Sequence, residues 1–284
     1  MRKEQEMYDL LLHTAEQDDR IRAVLLNGSR VNRNAETEHD ALQDYDIQYI
    51  VSDFSSFMKD HTWIDVFGER LITQMPDHYP LYAEDGRRGK FAYLMQFTDG
   101  TRIDLTLVDV HDLPETFESL TEVLLDKDGR LPEIPDPDNR DYIVEKPAHE
   151  DVYRCSNEFW WVSLYVAKGL ERKQLPYAKT MMEGPVRRML HQMMSWYIGS
   201  KHDFSVSVGS AGKYFERFLP EELWVLYQAT YTGSDYNENW EALITIAELF
   251  QSLESEVSLS ISAESFNSND VCAYLKDWKR RCGM

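Results

Sequence analysis

Hydrophobic spacing changes character once along this chain. In the first half, short alternating runs predominate. Residues 44–51 read Asp-Tyr-Asp-Ile-Gln-Tyr-Ile-Val, which places Tyr45, Ile47, Tyr49 and Val51 on one strand face and Asp44, Asp46 and Gln48 on the other. A short apolar run at 23–27, ending at Gly28, predicts another strand. Runs at 91–97 and 101–108 flank the turn signal Thr98-Asp99-Gly100 and together predict a β-hairpin. Its second arm buries Ile103, Leu105 and Leu107 and turns Arg102, Asp104 and Thr106 to the opposite face. Residues 70–75 supply a further strand, whereas Met7, Leu10, Leu11 and Ala15 have helical spacing. Trp63, Ile64, Val66 and Phe67 mark a short helix stopped by Gly68.

Between 130 and 147 the apolar periodicity fades and Pro132, Pro135, Pro137 and Pro147 accumulate, which reads as a linker. The expected division is 1–135 and 136–284. Beyond it, 151–170, 186–200, 220–231, 235–257 and 270–281 all accept helical patterns, with Gly169, Gly199 and Gly233 as terminators. The serine-rich stretch 255–268 reads as a loosely ordered connection. Strands mixed with helices, then helices alone, indicate an α+β chain ending in a helical bundle.

Composition narrows the partners. With 284 residues and 43% hydrophobic content the chain can bury a substantial core. A formal charge of −20, from 50 acidic against 30 basic residues, leaves no basic footprint for duplex nucleic acid. The same charge attracts a polycation, although acidic surfaces also serve solubility. Cys155, Cys272 and Cys282 lack zinc-ligand spacing, no apolar leader is apparent, and the longest apolar runs fall short of a membrane span. A reduced cytoplasmic setting and a monomer or weak homo-oligomer are expected.

The chemistry-bearing residues lie around the first strands. Gly28 can take backbone angles closed to other residues, and Ser29 offers a hydroxyl to a phosphate or its metal. Asp44 and Asp46, about 6–7 Å apart at their α-carbons, can both ligate a hard cation such as Mg2+. Asp104 is an acid in mid-strand, where Asp is disfavoured, and a metal shared with Asp44 and Asp46 would explain its presence. Arg30 suits either a phosphate contact or support of the acidic cluster.

Gly28-Ser29-Arg30, Asp44-x-Asp46 and Asp104 resemble the pattern of the nucleotidyltransferase superfold, which includes DNA polymerase beta. The chain as a whole is similar to the bacterial aminoglycoside 6-adenylyltransferases, also called streptomycin adenylyltransferases. That similarity runs from Met1-Arg2-x-Glu4-Gln5-Glu6-Met7 through Gly28-Ser29-Arg30-x-Asn32-x-Asn34 and Gln43-Asp44-Tyr45-Asp46-Ile47. It continues through Asp104-Leu105-Thr106-Leu107, Leu124-Leu125-Asp126-Lys127-Asp128, Asn157-Glu158-Phe159-Trp160 and Val166-x-Lys168-Gly169-Leu170, weakening beyond about residue 232.

The resemblance implies a polymerase-beta-like catalytic domain with a mixed sheet and flanking helices at 1–135, and a helical domain at 136–284 that completes the cleft. It implies attack of a streptomycin hydroxyl on the α-phosphate of ATP, releasing pyrophosphate and leaving an AMP ester. Two Mg2+ ions on Asp44, Asp46 and Asp104 would orient the triphosphate. Gly28, Ser29 and Arg30 would contact the nucleotide, with Lys168 adding charge. Asp104 is the first choice of general base and Glu158 the second. On their residues alone, Lys168 could equally snorkel from a helix end and Glu158 cap or solubilise one. Trp160, Trp161, Trp196 and Tyr197 read as core and cleft wall, His191 as structural, and Gly212-Lys213 as too short for a phosphate loop. A protein adenylyltransferase using the same triad is the alternative.

Overall fold

A computed structural model describes residues 1–33, 39–78, 89–264 and 266–283; Asn34 and Ser265 lie outside them. Its backbone packing divides the chain into two units, Met1–Asp141 and Tyr142–Met284.

The first unit is built on a sheet. Its elements are α1 (Glu4–Gln17), β1 (Ile21–Asn27), β2 (Tyr45–Val51), α2 (Phe54–Lys59), a 3-10 turn at His61–Phe67, β3 (Arg70–Gln74), β4 (Lys90–Phe97), β5 (Arg102–Asp109) and β6 (Thr121–Asp126). The strands lie in the order β3-β4-β5-β2-β1-β6. β2 and β5 run parallel, while every other neighbouring pair is antiparallel. The expected hairpin is β4–β5, turned at Gly100 with φ +88°. Gly68 ends the short helical turn at φ +114°, an angle that favours glycine.

Alternation decides what each face buries. Ile47, Tyr49 and Val51 of β2, Ile103, Leu105 and Leu107 of β5, and Tyr93, Met95 and Phe97 of β4 form one apolar face. Met7, Leu11 and Ala15 from α1 and Phe57 from α2 complete that core. On the opposite face a small cluster of Ala23, Leu25, Ile50 and Val108 is covered by Leu113, Phe117, Leu131 and Ile134. That apolar cluster covers one end of the second face. The other end carries Asn27, Asp46 and Asp104 in a single row across β1, β2 and β5.

The second unit is helical: α3 (His149–Glu171), α4 (Leu175–Met181), α5 (Arg187–Lys201), α6 (Phe215–Phe218), α7 (Glu221–Gln228), α8 (Tyr236–Ser260) and α9 (Asn269–Arg281). A π-helical turn at Met182–Val186, containing Pro185, joins α4 to α5. Phe159 of α3 stacks on Phe250 of α8 at 3.7 Å between ring centroids, Trp160 packs edge-on against both, and Trp240 is buried in the same core. Two glycines expected to end helices do not. Gly169 lies inside α3, where an added Cβ would meet the Ala178 Cβ at 3.0 Å, and Gly199 lies inside α5 against Phe204. Each permits close packing rather than termination. Nor is 255–268 loose at its start, because α8 continues to Ser260 with Val257 and Ser258 buried.

Among the described residues no helix is long and apolar enough to cross a membrane.

Candidate active site

The parallel pairing of β2 and β5 builds the acidic cluster. Asp46 and Asp104 are directly in register, so both side chains leave the same face of adjacent strands, about 4.8 Å apart at the backbone. Asp44 lies just before β2 and reaches the same end of the sheet. Its approach is held by Arg30, whose Nε donates to the Asp44 carbonyl at 3.0 Å and whose Nη2 donates to the Gln43 carbonyl at 2.6 Å. The Arg30 guanidinium also lies 3.7 Å from the Tyr45 ring centroid and pairs with Glu4. With three donor groups so engaged, Arg30 holds the backbone at Gln43 and Asp44, and its charge favours the ionised forms of Asp44 and Asp46.

Gly28 closes the back of the cluster. It follows β1 with φ +76°, and a Cβ there would fall 2.5 Å from Asp46 Oδ2. Its amide donates to the Leu120 carbonyl at 3.0 Å, so its contribution here is the missing side chain, which lets Asp46 approach the main chain. Ser29 and Arg30 continue in a single 3-10 turn.

Charge in the cluster is unbalanced. Burial, reinforced by repulsion from Asp104 and Asp44, pushes the Asp46 carboxyl up to about 6. Asp44 is also raised by burial, with Arg102 opposing that shift and Asp104 adding to it. The nearest positive group is Arg102, two residues before Asp104 on the same strand face. Its Nε donates to Asp104 Oδ1 at 2.9 Å and its Nη2 to Oδ2 at 2.7 Å, while Nη1 lies 3.4 Å from Asp44 Oδ2. Sequence reasoning placed Arg102 on this face without giving it a role. Asn27, which it did not single out, is buried in the same row and donates from Nδ2 to Thr121 Oγ1 at 2.7 Å. Its signal was a polar residue closing the apolar run at 23–26.

Among the described residues no three His, Cys, Asp or Glu side chains are grouped as a ready-made metal site. The oxygen donors nevertheless suit a hard divalent ion, and the space that glycine leaves beside Asp46 keeps one carboxylate at the end of the sheet.

The remaining two candidates belong to the second unit. Glu158 and Lys168 are both exposed on α3, Lys168 in its last turn. Between them, at three- and four-residue spacing, stand exposed Trp161 and half-buried Tyr165, joined by a 2.8 Å hydrogen bond from Trp161 Nε1 to the Tyr165 hydroxyl. Trp160, by contrast, is core. His191 has a structural setting, its Nε2 lying 2.7 Å from the Tyr227 hydroxyl.

A glycine turn backing onto acids of adjacent strands is consistent with the nucleotidyl-transferring class that the motifs resemble. Comparison with known proteins makes that class specific. Residues 1–278 match the family model described as streptomycin adenylyltransferase. The chain is 42% identical to an aminoglycoside 6-adenylyltransferase of Campylobacter jejuni, across 100% of this chain and 98% of that protein. An enzyme of the same name from Bacillus subtilis (strain 168) is 38% identical over 91% of each chain. A crystal structure of an aminoglycoside 6-adenyltransferase from Bacillus subtilis is 32% identical, covering 100% of this chain and 99% of that one, with a TM-score of 0.47. The chain belongs to the streptomycin adenylyltransferase family. It is therefore a nucleotidyltransferase, and the protein-modifying alternative is set aside.

Proposed function

We infer that this protein transfers AMP from ATP to a hydroxyl of an aminoglycoside, with streptomycin the expected acceptor and its 6-hydroxyl the expected position. Membership of the family supports the reaction, and the names of the relatives support the acceptor. The structural observation that carries the reading is the juxtaposition of Asp46 and Asp104 across parallel strands, with Gly28 behind them.

Asp44, Asp46 and Asp104 would hold Mg2+, two ions in our reading. When bound, such ions offset the charge of the triphosphate and make an attacking hydroxyl more acidic. The acceptor oxygen forms a bond to the α-phosphorus as the bond to the bridging oxygen breaks and pyrophosphate leaves. Asp104 is the first candidate to accept the hydroxyl proton, and Glu158 the second. Ser29 offers its hydroxyl to the phosphates, while Gly28 leaves room for Asp46. Arg30 keeps Asp44 in place by holding its carbonyl. Lys168 would add positive charge toward the triphosphate, and Glu158 would attract the cationic drug. Streptomycin carries two guanidinium groups, and the acidic balance of the chain, −20 overall, favours such a cation.

The test is pyrophosphate release from Mg-ATP with streptomycin, kanamycin, spectinomycin or no acceptor, followed by mass spectrometry and NMR of the drug. Streptomycin-dependent release with one added AMP at the 6-position is expected. Release with another drug alone would move the acceptor assignment, and no release with any drug would overturn the reading.

A further inference from the structure

Arg102 is placed to do more than balance charge. It precedes Asp104 by two residues on one strand, so both side chains leave the same face and the guanidinium can reach directly onto the carboxylate. The contact is a fork: Nε and Nη2 take one Asp104 oxygen each, at 2.9 and 2.7 Å, and Nη1 extends toward Asp44. Both oxygens of Asp104 are thus engaged by one cation, which also spans to a second expected metal ligand. Bidentate guanidinium–carboxylate pairs are among the stronger charge-assisted contacts, so this one is a real competitor for the carboxylate.

Packing does not lock it there. The Arg102 side chain is 43% exposed, whereas those of Asp104 and Asp44 are 19% and 33% exposed. The guanidinium can therefore rotate into solvent without disturbing the core, while the acids stay where the strands put them.

We propose that Arg102 competes with the divalent ion for Asp104 and Asp44: its fork holds the acids together until the ion displaces it. The inference rests on the proposed metal role of those acids. Before metal binds, the guanidinium relieves repulsion at the end of the sheet; afterwards the ion does so. Metal affinity then carries the cost of opening one charged fork, which sets a threshold concentration of Mg2+ for loading the site.

The experiment measures Mn2+ affinity by electron paramagnetic resonance and Mg2+ affinity by calorimetry, both without drug, for the wild type, Arg102→Met and Arg102→Lys. Melting temperatures in EDTA and in Mg2+ are measured alongside. Removing the fork should tighten metal binding by about tenfold, the worth of one charge-assisted contact. Arg102→Lys keeps the charge but cannot cover both oxygens, so it should tighten binding too. Arg102→Met should melt lower than the wild type in EDTA and recover in Mg2+. Unchanged or weaker metal binding in both variants would overturn the proposal. So would tightening by Arg102→Met alone, because that pattern is long-range charge without direct competition. If Arg102→Met fails to fold without metal, Arg102→Lys still decides between these outcomes. A wild type that binds no metal would instead defeat the metal reading itself.

Discussion

Two of the arginine forks, one taken from each unit, differ in what surrounds them. In the helical unit Arg187 is 5% exposed and donates to both Glu183 oxygens, at 2.9 and 3.2 Å. It also donates to the Thr230 hydroxyl and carbonyl and lies 4.0 Å from the Tyr231 ring centroid. Burial acts to raise the Glu183 carboxyl, but the bonds and charge from Arg187 outweigh it and hold that group below its ordinary value. Lys179 Nζ lies 3.3 Å from Glu183 Oε1 as well, so this acid is left with no surplus negative charge. In the sheet unit half-exposed Arg102 forks one of three acids, Asp104, and the two it does not fork, Asp44 and Asp46, are both pushed up. An acid offset by its own neighbours serves packing. A cluster with surplus negative charge supports the divalent ion proposed for it.

The comparison can be broken most sharply at the acids. Asp46→Asn should lower kcat/KM by about a thousandfold, because a proposed metal ligand is lost, yet leave the melting temperature unchanged or higher as repulsion falls. Steady-state kinetics beside calorimetry checks both halves, and a folded variant with ordinary turnover would contradict the site. Gly28→Ala comes next. Its Cβ would collide with Asp46 Oδ2 and its backbone sits at φ +76°, so activity should drop about a hundredfold through displacement of the acid. Stability should fall by about 1–2 kcal/mol in urea melts.

Arg187→Met tests the other fork. Loss of a buried cation from its partner typically costs about 3–5 kcal/mol, and since the Glu183 side chain is 34% exposed, about 2–3 kcal/mol is expected here. Turnover per folded molecule should be preserved, which equilibrium denaturation and kinetics at saturating substrate would establish together. The smallest effect concerns His191. Burial, aided by Arg187, depresses its pKa below 6.5, so the unfolded chain takes up its proton first as pH falls. Stability should decline as pH drops below 6.5 toward the folded value, and His191→Gln should flatten that decline in melting curves taken across the window.

Much of the sheet was legible because alternation has a period that no helix shares. It located β2 and the β4–β5 hairpin and sorted their faces. β6 escaped because its exposed and half-buried residues do not alternate, and α2 because six residues hold less than two helical turns. Gly169 and Gly199 were read as stops because glycine often ends helices, yet both sit where a neighbouring element leaves no room for a methyl group. At the site, Asp46 and Asp104 stood out as acids within strand patterns. The fork of Arg102 did not, because periodicity places Arg102 and Asp104 on one strand face without saying which partner a long side chain reaches, and the hold of Arg30 on the Asp44 carbonyl did not, because it joins residues of different elements.

By itself the sequence determined the family, the succession of a strand-bearing half and a helical half, and the face of its strand on which each acid stands. The family follows from the resemblance of its motifs, and the other two from local periodicity and from residues whose backbone demands are intrinsic. Only the tertiary structure decided that β2 lies parallel to β5, that Asp46 and Asp104 are therefore neighbours, and that Arg102 spans toward Asp44. Periodicity tells which way a side chain points from its own strand. Which strand lies alongside, and in what register, is set by how the whole sheet buries its apolar face.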